Sequence, residues 1–357
     1  MYKSAFLLVL LLLQGCGGGS GGSTPPSPSP EPTPPVSSEP YYYQQWYLEC
    51  DTKFCQENAI ETEAGIHVAE TLKRYTGEGV KIAIIDDGFD LSHPELKDTK
   101  LAAYNSATEG SDVAHTESDG FHGTAVAGII VAQKNGQGIL GMAHNSKMIY
   151  LKYKEEMSDS ETITLFNKAA SYGANIINCS WGTGDVSQAV KDTIVTLAKS
   201  GRGGKGILIV FSTGNDNAEM GNDESAIPEV IAVGATSEKN LRATYSNYGA
   251  TIDLLAPGGE QKGIATLDES GAKGIAVGNE DYLLTNALIP FSGTSASAPI
   301  VSAAIALLLE KDPTLDRDQV ETLLHDMSDK IGTLPYEKGF NTYYGYGKLN
   351  LHKLLGE

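Results

Sequence analysis

An α/β fold, a parallel sheet with helices on both faces, is what this sequence predicts. Two observations carry that prediction. From Gly79 onward, apolar runs of strand length alternate with stretches of helical length. Of the 357 residues, all but about 40 at the N-terminus have the composition of a folding chain, enough for one large domain with a deep core.

The elements follow in order. Val80-Lys81-Ile82-Ala83-Ile84-Ile85 is the first strand candidate. Gly123 to Gln133 reads as a buried helix, Lys147 to Lys152 as a strand, and Ser160 to Tyr172 as an amphipathic helix. Ala174 to Ser180 reads as a strand, with a helix near Ser187–Lys199 after it. Gly206 to Ser212 and Val230 to Gly234 are further strands, and Ser295 to Lys311 is a long apolar helix. In such sheets, sites form at the carboxyl ends of the strands.

Ahead of these elements, residues 1–15 read as a signal peptide. Lys3 supplies a positive start, and Ala5 to Leu13 an apolar run too short to span a bilayer as an ordinary helix. The run closes in Leu13-Gln14-Gly15-Cys16, which resembles the lipobox of bacterial lipoproteins, with Gln14 bulkier than the usual small residue. That resemblance implies cleavage before Cys16 and acylation of it. Several chains on one residue anchor firmly to a membrane, each buried CH₂ contributing ~0.8 kcal/mol. Plain secretion with an incidental cysteine is the competing reading. The Gly/Ser/Pro tether that starts directly after Cys16 favours the lipoprotein, exported to an outer membrane or cell surface.

Residues 16–40 are expected to be that tether. They cannot bury enough apolar surface to fold, and they would hold the domain, expected over 41–357, off the membrane.

Composition narrows the function. The net charge of -19, from 26 Lys and Arg against 45 Asp and Glu, argues against nucleic-acid binding, which needs clustered cations. The four cysteines, Cys16, Cys50, Cys55 and Cys179, form no metal pattern. Cys50 and Cys55 can close a small disulfide loop in an oxidising compartment, or stay apart, as geometry decides. Cys179 lies in an apolar run and reads as a small buried residue.

Three separated residues carry the chemistry. Asp86 ends the first strand, His122 opens an apolar helix beside Gly123, and Ser295 opens the long helix within Ser292-Gly293-Thr294-Ser295-Ala296. Each alone has a bland reading as a turn residue, a structural histidine or a helix cap. Their order and contexts together resemble the subtilisin-like serine proteases, from about Gln44 to Leu354. The resemblance implies a subtilisin-like fold and an endopeptidase acting on protein or peptide substrates. Ser295 would be the nucleophile, His122 the base, Asp86 its orienting carboxylate, and Asn215 the oxyanion donor.

Gln44-Gln45-Trp46-Tyr47-Leu48, the doubled Asp86-Asp87-Gly88, and Ser180-Trp181-Gly182 are similar to the kexin and furin branch. By that resemblance, Ser180, Trp181 and Gly182 form a substrate-binding strand. Asp185 and Glu224 would contact a basic P1 side chain, and Asp87 and Asp119 a basic P2 side chain. The family resemblance also implies a structural Ca²⁺ held by Glu39, Glu95, Asn135 and carbonyls from the loop Gln133 to Ile139. Two of these positions carry Glu where Asp is usual. A folded propeptide is the family's habit. Only the tether lies between the signal-like segment and the domain, so folding is expected to proceed unaided or with a separate chaperone. A catalytically silent binding protein on the same fold is the competing function. A lipase or esterase would need the elbow Gly-x-Ser-x-Gly, which is absent around Ser295.

Overall fold

In the computed structural model, which describes residues 37–116, 120–154, 156–277 and 280–355, the apolar run after Gly79 forms strand β1 (Lys81–Asp86). Two short helices precede it, α1 (Thr52–Glu57) and α2 (Ala69–Leu72). After it come β2 (Lys100–Asn105), α3 (His122–Val131), β3 (Lys147–Lys152), α4 (Asp159–Ser171) and β4 (Ile176–Cys179). Then follow α5 (Gln188–Gly204, kinked at Gly201–Gly203), β5 (Leu208–Ser212), β6 (Ile231–Thr236) and β7 (Leu254–Pro257). The chain closes with β8 (Thr266–Leu267), β9 (Tyr282–Leu283), α6 (Thr294–Lys311), α7 (Arg317–Asp326), β10 (Ser328–Asp329) and β11 (Lys348–Leu349).

The main sheet runs β10-β11-β7-β6-β5-β4-β1-β3-β2. Every pairing in it is parallel except β10 with β11. Strands β8 and β9 make a separate antiparallel pair.

Side chains alternate along each strand, so each strand feeds two cores. Ile82 and Ile84 of β1 face the core of the apolar helices α3 and α6. Ala83 and Ile85 face the other side, against Leu165 and Phe166 of α4 and Val190 and Ile194 of α5. The two faces differ in the helices they take. Residues Gly123–Val131 are all buried, which is why α3 is apolar all round, whereas α4 and α5 keep polar outer faces. The predicted strands and helices all form, with bounds shifted by a few residues.

The segment before β1 belongs to this body. Trp46, Tyr47 and Leu48 are fully buried, and Gln45 exchanges two 2.8 Å hydrogen bonds with the Leu140 backbone. The described residues begin at Ser37, within the stretch expected to be tether. Glu39 is buried there, and its Oε1 accepts the Gly136 N–H at 2.8 Å. The expected signal segment and Cys16 lie outside the described residues. Cys50 and Cys55 are joined in a disulfide with Cα atoms 6.1 Å apart, and Cys179 is a buried free thiol. Among the described residues, no helix is long and apolar enough to cross a membrane.

Candidate active site

Asp86 closes β1 with its side chain fully buried. Its Oδ1 accepts the Asp87 backbone N–H at 2.9 Å and lies 2.8 Å from His122 Nδ1. With Nδ1–H committed to that carboxylate, Nε2 becomes the basic atom of the imidazole.

His122 is the first residue of α3, and its ring is 28% exposed. Gly123 is what lets the helix begin against the end of β1. A Cβ there would stand 2.2 Å from the Gly88 carbonyl oxygen and 3.0 Å from Asp86 Cβ. The first N–H groups of a helix lack partners within it, and that of Gly123 donates to Asp87 Oδ1 at 2.8 Å. The Phe291 ring meets the imidazole edge-on, with centroids 5.7 Å apart. Burial opposes charging of this histidine. The Asp86 charge, the hydrogen bond to Asp86 and the Asp87 charge outweigh it and push His122 up to about 9.

Ser295 reaches the same place from α6. Ile85 of β1 sits opposite Cys179 of β4, so Asp86 and Ser180 leave the sheet side by side. The Ser295 hydroxyl donates to the Ser180 carbonyl at 3.0 Å, and the Ser180 hydroxyl donates to the Ser295 carbonyl at 2.9 Å. That carbonyl needs an outside partner, because Pro299, four residues on, has no N–H to offer it. The link continues inward. Asn178 Nδ2 donates to Ser180 Oγ at 3.1 Å, and Ser302 Oγ donates to Asn178 Oδ1 at 2.8 Å.

Asn215 follows β5. Its Oδ1 accepts two hydrogen bonds from Thr294, one from the backbone N at 2.9 Å and one from Oγ1 at 3.0 Å. The amide orientation follows, since only oxygen can accept both, and Nδ2 is left to donate elsewhere. Gly293 lies against the amide at φ +125°, a conformation side chains rarely adopt; a Cβ there would be 3.3 Å from Nδ2. Ser295 N–H, in the first turn of α6, has no partner within the helix, and Asn215 is held beside that turn by Thr294.

The residues expected to hold substrate divide. Trp181 spends its side chain on support: Nε1 donates to the Ile85 carbonyl at 2.8 Å, and the ring packs on Tyr153 and Phe211. Only its backbone is free for a substrate role. Gly182 is exposed, and a Cβ on it would lie 3.9 Å from Glu224 Oε2. Glu224 is buried and accepts from Thr183 N and Thr183 Oγ1, at 3.1 and 2.8 Å. No Lys or Arg pairs with it among the described residues. Asp185 is exposed, and its Oδ1 accepts from Asn222 Nδ2 at 2.5 Å. Val186 N–H donates to the Asn222 carbonyl at 2.8 Å, which lays this strand alongside the segment leading to Glu224. Asp87 is about a third exposed (32%), with Oδ1 already engaged by Gly123. Asp119 lies outside the described residues.

The Subtilase family model matches residues 77–347, which is most of the chain. The chain belongs to the subtilase family. A subtilisin of Bacillus pumilus is 31% identical to this subtilase over 284 residues, covering 78% of the chain and 91% of that protein. A calcium-dependent protease of Nostoc sp. is 30% identical over 342 residues, covering 88% of the chain and 51% of that protein. The subtilase spans about half the length of the calcium-dependent proteases it matches. Its fold is similar to the crystal structure of an Aeromonas sobria serine protease in complex with a chaperone. There the TM-score is 0.77 at 20% identity, covering 90% of this chain and 67% of that one. Fervidolysin of Fervidobacterium pennivorans, a keratinolytic enzyme related to subtilisin, matches with TM-score 0.67 at 24% identity, covering 82% and 45%.

In this subtilase the three expected calcium ligands converge. Glu39 and Glu95 are both buried, and Asn135 Nδ2 donates to Glu95 Oε2 at 3.2 Å. Tyr282 OH donates to Glu95 Oε1 at 3.0 Å. Burial, with the Glu39 charge beside it, pushes Glu95 up to about 7, against the pull of its hydrogen bonds. Two buried carboxylates that repel each other, with no Lys or Arg between them among the described residues, fit a hard cation, and the carboxylate oxygens of Glu39 and Glu95 suit Ca²⁺, with Asn135 joining them once its amide turns its oxygen inward.

Sequence reasoning passed over three residues of the site. Thr294 stood inside the quoted serine motif, but nothing in the pattern marked it as the anchor of Asn215. Phe291 and the buried His115, whose Nδ1 is 3.6 Å from Asp87 Oδ1, lie in irregular segments, where periodicity carries no signal.

Proposed function

We propose that this subtilase is a serine endopeptidase that works through Asp86, His122 and Ser295. The Asp86–His122 hydrogen bond at 2.8 Å carries the proposal, beside a serine whose helix begins at the same edge of the sheet. Ser295 Oγ attacks the scissile carbonyl while His122 Nε2 takes its proton. The leaving amine receives that proton, an acyl-enzyme remains on Ser295, and water releases it by the same route. The oxyanion is met by Asn215 Nδ2 and the Ser295 N–H. Asp86 holds the imidazole and stabilises its charged form.

The proposed substrates are surface or secreted proteins cut after basic residues. Glu224 supports this reading, as a buried carboxylate that has no cation partner among the described residues and lies beside exposed Gly182, with Asp185 on the adjoining strand. Asp87, and Asp119 with it, would favour a basic P2 residue, as in the kexin and furin branch. Bound Ca²⁺ would supply positive charge between Glu39 and Glu95 and cross-link the N-terminal segment to the loop at Asn135. Acylated Cys16 would tether the enzyme as a bacterial lipoprotein. A separate chaperone would assist folding, as the complex of the Aeromonas sobria protease suggests.

One observation favours the silent binding protein: in the structure the Ser295 hydroxyl donates to Ser180 and not to His122. A side-chain rotation is therefore part of the proposed mechanism. A fluorogenic peptide panel varied at P1 tests the proposal. Turnover with Arg or Lys at P1, above that with Leu or Phe and weakened in Glu224→Gln, is expected. No turnover of any peptide would sink the endopeptidase, and a preference for Leu or Phe would sink the assigned pocket.

A further inference from the structure

Behind the Asp86–His122 pair lies a second carboxylate and a second imidazole. Asp87 follows Asp86 directly, and His115 Nδ1 is 3.6 Å from Asp87 Oδ1. The His115 side chain is only 1% exposed. Gly88 and Gly120 wall it in, and a Cβ on either would stand 2.8 Å from Nδ1. Its other nitrogen, Nε2, lies 2.8 Å from Thr124 Oγ1 on α3.

That contact can hold the tautomer protonated on Nδ1. Thr124 Oγ1 accepts the Asp90 N–H at 2.9 Å and has one hydrogen of its own to give. Given to His115 Nε2, it leaves the imidazole proton on Nδ1, facing Asp87. Asp87 Oδ1 also accepts the Gly123 N–H, the residue next to His122. Asp87 thus connects the buried histidine to the first turn of the helix that presents the catalytic one.

We propose that Asp87 and His115 form an internal carboxylate–imidazole pair that positions His122 and sets the pH at which it works as a base. Asp87 is here a positioning residue, acting through His122. The inference rests on the reading of His122 as the general base and adds a control to it.

The charged and titratable surroundings support that role. Asp86 from β1 repels Asp87, and with burial it drives the Asp87 carboxyl up; the charges of His115 and His122 and the Gly123 N–H pull it back. Burial holds His115 down, against the Asp87 charge, while Lys152 of β3 and Asp90 act on it from either side. Lys152 Nζ also donates to the Ala114 carbonyl at 2.5 Å, bracing the loop that carries His115. Tyr153, after β3, feels both Asp86 and Asp87, and its hydroxyl stays protonated. In the neutral range His115 is uncharged, and its Nδ1 stands 3.6 Å from Asp87 Oδ1, where the imidazole dipole and, once protonated, its charge favour the ionised carboxylate beside Asp86. The Asp87 charge in turn favours the charged form of His122.

The test is the pH dependence of kcat/KM on a peptide with an uncharged P2 residue, so that any substrate contact of Asp87 drops out. Asp87→Asn keeps an acceptor for the Gly123 N–H and removes the charge. Its acid limb should move to lower pH by roughly one unit, the scale of one partly screened charge nearby. His115→Phe should move the limb the same way, because a carboxylate beside Asp86 that loses this polar neighbour takes up a proton more readily. In the Asp87→Asn background His115→Phe should add nothing. An unmoved limb in Asp87→Asn, or equal effects of His115→Phe in both backgrounds, would overturn the pairing.

An NMR titration of the His122 imidazole in the full chain reads the same coupling without turnover and with no variant. It should show a minor second inflection as His115 titrates, and a single inflection counts against the pair. Loss of all peptidase activity with the coupling intact would fault the enzymatic reading alone.

Discussion

The proposed oxyanion donor, Asn215, offers the sharpest quantitative prediction, because its orientation is held by named bonds. Thr294 grips Asn215 Oδ1 through its backbone N at 2.9 Å and its hydroxyl at 3.0 Å, and the same hydroxyl accepts the Gly214 N–H at 3.2 Å. Asn215→Leu removes the Nδ2 donor and should lower kcat by about 10²–10³ with KM little changed, since the donor acts on charge that exists only in the transition state. Thr294→Val keeps the backbone grip and loses the hydroxyl. One neutral hydrogen bond nets about 0.5–1.5 kcal/mol, so if that energy is what fixes Nδ2, kcat should fall roughly two- to twelvefold. Thr294→Ser, which keeps the hydroxyl, should stay near the parent. Steady-state kinetics on one fluorogenic peptide separates kcat from KM across the series. If Asn215→Leu keeps more than about a tenth of kcat, or if the losses fall on KM, Asn215 is not the oxyanion donor.

Three further outcomes follow from the site. Only neutral His122 accepts the Ser295 proton, and its neighbours push it up to about 9, so kcat/KM should climb with pH toward that value and level off above it; a profile flat from about pH 7 to 10 would contradict the assigned surroundings. Glu95, at about 7 when folded, lies above its unfolded value, so the calcium-free protein should lose stability as pH rises from the usual carboxylate range toward 7. Ca²⁺ competes with that proton, so a chelator should lower the melting temperature more at about pH 8 than at about pH 5, and equal drops would argue against calcium at Glu39 and Glu95. Gly123→Ala sets a methyl against the Gly88 carbonyl and should cost about 1–3 kcal/mol in a urea melt. It should also abolish activity by moving His122 away from Asp86, and an active, stable variant would show that the close approach is not required.

How much of this could be read from the chain depended on local signals. The β/α alternation was plain because each central strand is apolar on both faces and each outer helix on one. Strand β2 escaped notice because it is an edge strand, exposed at Lys100 and Leu101 and buried only toward Asn105. Strand β7 is four residues long and ends in Pro257. Helix α7 carried a legible start, the box of Asp316 and Gln319, but its short polar run hid the apolar stripe of Val320 and Leu324.

At the candidate site, Asp86, His122, Ser295 and Asn215 were singled out by their motifs, and the structure places them at the end of β1, just after β5 and at the starts of α3 and α6. What the motifs could not state was the contact pattern. The bond that meets the Ser295 carbonyl comes from Ser180, 115 residues away, because Pro299 leaves that carbonyl without a helical partner. Asn215 is aimed by Thr294 across 79 residues. The acids near the cleft were visible as residues, but only burial distinguishes Glu224, enclosed and bonded to Thr183, from the exposed Asp185.

The central claim is that Ser295 is a nucleophile activated by His122. A fluorophosphonate probe followed by peptide mapping measures it directly, since the probe bonds only to a serine whose proton is taken up as it attacks. The account predicts stoichiometric labelling on Ser295 that is lost in Ser295→Ala and strongly reduced in His122→Ala. A folded protein that takes no label, or takes it on another residue, would contradict it.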